Sequence, residues 1–163
     1  MKNLFYIILI SANLFSCVST DEKKDTDEKK ENNSNFSFEN SIIELSSTDA
    51  LGNVLTYPEG EVAITSTIMV WKPGFETPWH FHPFTGPAFI VQGELTVDFD
   101  TTSALSNLES EKTSNLTKVF KAGDSFLAIP DVWHKSHNYG SKDLIFTVSW
   151  LGEKGKPIKV LSN

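Results

Sequence analysis

The stretch Val62-Ala63-Ile64-Thr65-Ser66-Thr67-Ile68-Met69-Val70-Trp71 constrains the fold more than any other part of the chain. It is rich in β-branched residues, which fit a pleated, half-buried surface, and it stops at Lys72-Pro73-Gly74, a turn signal. The same texture of short apolar runs continues to the C-terminus. Strands are expected at Trp79 to His82, Ala88 to Gln92, Glu94 to Phe99, Leu116 to Lys121, Ser125 to Ile129, His134 to Tyr139, Leu144 to Leu151 and Ile158 to Leu161. Gly93, Ala122-Gly123-Asp124 and Gly140-Ser141 punctuate them, with Asp124 read as an Asx-type turn residue. No helical periodicity of useful length occurs in this region. Many short strands with even turn spacing indicate an all-β sandwich or small barrel. Asp100 to Asn115 reads as an extended polar hairpin loop without chemistry of its own.

The strand pattern begins only at about Phe38, and what precedes it has two parts. Lys2 gives a short positive start, Leu4 to Leu14 is mostly apolar, and Leu14-Phe15-Ser16-Cys17 ends the segment with a small residue before a cysteine. The apolar run is too short to span a bilayer comfortably, so residues 1–17 read as a signal peptide rather than a permanent anchor helix. This ending resembles the lipobox of bacterial lipoproteins, which implies that Cys17, the only cysteine, becomes a lipidated N-terminus. Residues 18–37, with the near-repeated DEKK at 21–24 and 27–30, have the composition of a solvated tether. An acidic segment there is similar to surface-export signals of some lipoproteins. The expected location is therefore the bacterial cell envelope, lipid-anchored, periplasmic or surface-exposed, with residues 38–163 as the folded domain.

Charge narrows the partners. The 163 residues carry a formal net charge of −7, and all 14 basic residues are lysines. With no arginine and no lysine cluster in the folded region, neither nucleic acid nor an anionic membrane surface is the expected partner. Bidentate guanidinium clamps for phosphate or carboxylate are absent too, leaving lysines as point charges.

The four histidines, His80, His82, His134 and His137, fall in two short windows about fifty residues apart. Residues i and i+2 of a strand share a face, so His80 and His82 project together while Trp79 and Phe81 point the other way. Two imidazoles side by side on an inner face need a partner, because unpaired burial costs free energy. A divalent metal supplies one, with a third histidine from another strand completing a facial set of nitrogen ligands.

Gly74-x5-His80-x-His82, with Gly93 eleven positions on, resembles the first cupin motif. Gly123-Asp124 leading through Pro130 to His134-x3-Asn138 resembles the second. Trp133 and the ending Trp150-Leu151-Gly152-Glu153-Lys154-Gly155 are similar to a subgroup of small bacterial cupins. The resemblance covers roughly Ala63 to Leu151. It implies a double-stranded β-helix, the cupin or jelly-roll barrel, with metal ligands at His80, His82 and His134 and a divalent transition metal, whether iron, manganese, nickel or zinc. It also implies a homodimer.

Two departures from the motifs bear on the site. The family's glutamate position falls on Gly86, and the second motif is one residue short at Pro130-Asp131-Val132-Trp133-His134. Strand parity from Gly86 puts Ala88, Ile90 and Gln92 on the same face; Gln92 is too far along the strand to coordinate easily. Glu76 has even spacing from His80, but Pro78 makes parity unreliable there. By parity with His134, Ser136 and Asn138 face inward, Asn138 to satisfy a turn or backbone group. His137 faces away from the metal, at the surface or behind the ligands. Phe84 and Trp133 flank the histidines. The expected pocket is Phe84, Gly86, Ala88, Ile90, Gln92, Trp133, Ser136 and Asn138, with Trp71, Trp79, Trp150, Phe81, Phe89 and Phe126 in core or pocket wall.

Three functions fit these features. One is a metalloenzyme whose three neutral imidazoles leave positions for a chelating, anionic, enolate-like or catecholate-like substrate; similarity to three-histidine cupins makes a dioxygenase the natural form. Another is a small-molecule or sugar-binding cupin without catalysis. The third is a protein-interaction module using barrel edges and the 100–115 loop.

Overall fold

The computed structural model describes residues 42–163. The expected signal peptide, the lipidation site Cys17 and the tether at 18–37 lie outside the described residues. Nine strands and no helix occur among the described residues. In chain order they are β1 (Val62–Trp71), β2 (His80–Phe81), β3 (Pro87–Gln92), β4 (Glu94–Asp100), β5 (Leu116–Lys121), β6 (Ser125–Leu127), β7 (Trp133–His137), β8 (Leu144–Glu153) and β9 (Val160–Leu161).

These strands form two antiparallel sheets, one in the order β1-β8-β3-β6 and the other in the order β5-β4-β7-β2-β9. The longest pairing runs from Val62 opposite Glu153 to Trp71 opposite Leu144. Its register follows from alternation. Along β8, Leu144, Phe146, Val148 and Trp150 are buried, while along β1 the half-buried Thr67, Met69 and Trp71 alternate with exposed Ile68 and Val70. A one-residue slip would put the wrong set of side chains inside. The main apolar cluster joins Ile90, Leu144 and Phe146 of the first sheet to Leu95, Val97 and Phe99 of the second. The result is an all-β jelly-roll barrel.

Each expected strand is present, β1 and β5 with the expected bounds and the others with shifted ends. β2 is only two residues long because Pro78 and Pro83 bracket it and supply no N–H to a ladder. The Lys72-Pro73-Gly74 turn closes through a hydrogen bond from Phe75 N–H to the Lys72 carbonyl (3.1 Å), with Gly74 at φ 80°. The 100–115 loop is more ordered than its polar composition implied. Asp100 is almost wholly buried, and its carboxylate accepts hydrogen bonds from the N–H and hydroxyl of Thr102 and Ser103 and from Thr113 N–H. Those donors hold its carboxyl well below the ordinary range against the opposing effect of burial. Lys112 of the same loop lies 4.4 Å above the Trp133 ring and donates to the Asn107 and Ser110 carbonyls.

Candidate metal centre

β2 and β7 are register partners at one residue pair, His80 opposite His134. Cross-strand neighbours on one face are close enough for their side chains to meet, and the rings are 4.4 Å apart between centroids. His82, two residues along the same face, brings its ring to 5.0 Å from His80 and 5.2 Å from His134. The potential ligand atoms of all three lie within 4.8 Å of one another. All three rings are buried or nearly so.

Backbone carbonyls settle which nitrogen each ring presents. Nδ1 of His80 lies 2.8 Å from the Pro78 carbonyl, that of His82 2.5 Å from the Ile158 carbonyl and that of His134 2.8 Å from the Val132 carbonyl. A carbonyl only accepts, so each Nδ1 must carry the proton, and each neutral ring then has its lone pair on Nε2. Burial is the main cause of depressed basicity in all three: His80 is lowered, His82 is lowered to about 3, and His134 is held well below the ordinary value. Mutual repulsion among the histidines adds to the shift at His82 and His134, and the Lys159 charge adds to it at His80 and His82. Trp150 stacks on His82 at 3.8 Å, restricting its ring.

Three neutral imidazoles with fixed tautomers and convergent lone pairs fit a divalent transition metal, because imidazole is a ligand to several such ions and a carbonyl on Nδ1 is the usual orienting partner. No Asp or Glu lines the adjoining cavity among the described residues. Glu76, the nearest sequence candidate for a carboxylate ligand, is exposed and contacts Lys135 at 3.5 Å and His137 Nδ1 at 2.9 Å. Gly86 cannot be replaced by a ligand-bearing residue in place: a Cβ there would lie 2.0 Å from the Ser149 carbonyl oxygen.

The cavity beside the histidines has a volume of about 380 Å³. Its walls are apolar and aromatic, with Thr67, Thr77, Ser136 and Lys159 as the polar exceptions to the histidines. Of the expected pocket residues, Ala88 and Ser136 line it. The other six do not. Trp133 is fully buried on the opposite face of β7, because it is adjacent to His134 and strand neighbours alternate; Phe81 packs edge-on against it there, at 4.9 Å. Phe84 lies over Gly152, where a Cβ would touch its ring. Gly86 is pressed against the β8 backbone. Ile90 is buried in the main apolar cluster, and Gln92 is exposed, its amide donating to the Asp143 carbonyl (3.0 Å). Asn138 is in a turn, donating to the Trp71 and Lys142 carbonyls and accepting from Gly140 N–H.

His137 does face away from the cluster, yet it is fully buried rather than superficial. Nε2 is 3.0 Å from Asp98, while Nδ1 is near Glu76 but out of line for a hydrogen bond; Tyr139 covers the ring at 4.6 Å. Sequence reasoning missed Thr67 and Met69, which β1 alternation would have found, and Ile158 and Lys159, whose placement needed the β9 register.

A family model described as a cupin domain matches residues 67–150, just over half of the chain. No curated protein matches. Solved structures with similar folds include an oxalate decarboxylase–formate complex from Lactobacillus farciminis, at 22% identity and TM-score 0.45 over 60% of this chain and 26% of that one. A DMSP lyase from Ruegeria pomeroyi has 18% identity and TM-score 0.46, with 61% and 43% covered. An RmlC-like cupin from Shewanella frigidimarina has 22% identity and TM-score 0.41, with 56% and 68% covered. The chain spans less than half the length of the first two. The match to the family model runs from Thr67 of β1 to Trp150 of β8 and takes in all three clustered histidines, and on it the chain belongs to the cupin family.

Proposed function

We propose that this protein is a lipid-anchored metalloprotein of the cell envelope that holds a divalent transition metal on His80, His82 and His134 and acts on a small chelating substrate as a dioxygenase-type enzyme. The observation that carries this reading is the shared arrangement of the three rings, each with Nδ1 on a backbone carbonyl and Nε2 left to the cavity side. When bound, the metal would polarise chelating oxygens and, as a redox-active ion, supply one-electron chemistry. The chain's own residues do the rest. The carbonyls of Pro78, Ile158 and Val132 keep the rings oriented, Trp150 holds His82, and the apolar walls exclude bulk water and receive the body of the substrate.

The full chain purified in detergent, free of any histidine tag, is expected to carry close to one equivalent of transition metal, lost in His80→Ala and His134→Ala. Oxygen uptake with a panel of diketones and diphenols is expected to follow the metal. Metal-free protein sinks the reading, whereas metal with saturable binding but no turnover leaves a binding cupin. Cys17→Ala is expected to move the protein out of the membrane fraction.

A second copy of the chain is the proposed partner for the outer face of the β1-β8-β3 sheet. Val62, Ile64, Ile68, Val70 and Val91 are exposed there, and along β1 this face has no charge, so pairing across that strand sets no like charges of β1 against each other. Strand spacings make the face roughly 500 Å², so a pair buries about 1,000 Å², the lower edge for a specific interface. Ile68→Glu is expected to halve the mass in solution; an unchanged mass removes this face as the interface.

A further inference from the structure

We infer that Lys159 is the anion anchor of the cavity, selecting ligands that carry a carboxylate or enolate oxygen on an apolar or aromatic body next to the three histidines. The inference rests on the metal reading above and names the ligand class for the same site.

The position of Lys159 follows from strand register. β9 pairs with β2 so that Leu161 is opposite His80 and Val160 opposite Phe81. Continued by one pair, this register sets Lys159 opposite His82, on the face that carries both histidines. Lys159 is accordingly part of the cavity lining. Its neighbour Ile158 supplies the carbonyl that orients His82, so the segment carrying the cation is tied directly to a ligand.

The electrostatics of the cavity are the reverse of those of the chain. The chain has net charge −7, yet Lys159 is the sole Lys, Asp or Glu on the cavity lining among the described residues. It makes no ion pair with any carboxylate among the described residues. Three neutral imidazoles do not offset a divalent ion, so a bound metal and the ammonium of Lys159, a solvent-exposed residue whose charge water partly screens, would together present about three positive charges to a ligand lying against the apolar wall. Neutral ligands leave that charge uncompensated; an anionic oxygen answers it, and the ammonium's three donors reach it without the fixed geometry an arginine demands. The aromatic walls, including Trp71, Phe126 and Trp150, suit a planar body.

Two probes of matched shape separate charge from chelation: phenylpyruvate, an anionic α-keto acid, and 1-phenylbutane-2,3-dione, its neutral diketone counterpart. Binding to the cobalt(II)-loaded full chain is read by calorimetry and by the cobalt d–d absorption. The unsubstituted protein is expected to prefer phenylpyruvate, with affinity falling as salt rises. Lys159→Met is expected to weaken phenylpyruvate by roughly 10- to 100-fold, the range for a lost hydrogen bond to a charged group, and to leave the diketone within about twofold. Lys159→Arg is expected to restore most of the loss. Equal losses for both probes, no loss for phenylpyruvate, or no preference in the unsubstituted protein each overturn the inference. Elemental analysis of the same samples separates the two readings: a chain that takes up no cobalt fails at the histidines, whereas a loaded chain indifferent to Lys159→Met fails only here.

Discussion

Gly86→Ala is expected to destabilise the domain by about 3 kcal/mol, the upper part of the range for forcing extra volume into packed structure. The new Cβ would lie 2.0 Å from the Ser149 carbonyl oxygen, 2.7 Å from its carbon and 3.0 Å from Trp150 Cα. All three are backbone atoms of β8, a strand hydrogen-bonded to β1 on one side and β3 on the other, so the neighbour cannot swing aside as a side chain would. The segment holding Gly86 is no freer. Its own carbonyl accepts from Ala128 N–H (2.9 Å), the Thr85 carbonyl accepts from Leu151 N–H (2.9 Å), and the Thr85 hydroxyl donates to the Ala128 carbonyl (2.6 Å). Stiffening the unfolded chain returns only about 0.4–1 kcal/mol, so the clash wins. For a domain of this size the loss corresponds to about 10–15 °C in Tm, read by thermal unfolding followed with circular dichroism. Gly74→Ala is the matched control: φ is 80° there but nothing lies within 4 Å of a Cβ, so only the left-handed backbone cost of about 1–2 kcal/mol applies. Gly86→Glu is expected to lose stability like Gly86→Ala and gain no metal affinity. A Gly86→Ala Tm within about 2 °C of the parent, which is less than 1 kcal/mol, or tighter metal binding by Gly86→Glu, would refute the steric argument.

Other expectations follow from the same geometry. In chelator-treated protein the three cluster histidines are neutral when folded, His82 down to about 3, whereas the unfolded chain protonates them near 6.5. The unfolded state therefore binds more protons between these values, and stability falls as pH drops below about 6.5, by up to about 1.4 kcal/mol per pH unit for each histidine; urea midpoints from pH 7.5 to 4.5 check this, and a flat profile contradicts it. Deleting residues 158–163 removes the carbonyl on His82 Nδ1 and the β9 pairing with β2, and is expected to weaken metal binding about 10- to 100-fold in a competitive chelator titration. His137→Ala leaves Asp98 without its 3.0 Å partner and opens a buried volume; it is expected to cost about 1–3 kcal/mol in denaturant unfolding while metal stoichiometry stays unchanged.

The expected strands and the pairing of His80 with His82 were legible because both depend on local periodicity. Side chains alternate along a strand whatever the strand packs against. Parity also turned His137 away from the cluster, but it carried no information on burial, to which Asp98 and Glu76 contribute from other parts of the chain while Tyr139, two residues on, stacks over the ring. The same parity rule puts Trp133 opposite His134; nearness in sequence to a ligand was a poorer guide to the pocket than face. Gly86 was visible as a missing carboxylate, whereas the reason, a β8 backbone with no room for a Cβ, exists only once the two segments are packed.

By itself, then, the sequence determined an all-β domain with two histidine windows and no arginine, since composition and alternation are properties of the chain alone. The carbonyls that orient His80 and His134 lie only two residues back in the chain, but the tertiary structure decided which nitrogen His82 presents, what walls the cavity and where Lys159 stands. Those depend on carbonyls and side chains from strands far apart in sequence, above all Ile158 and Lys159 against His82, which no local pattern encodes.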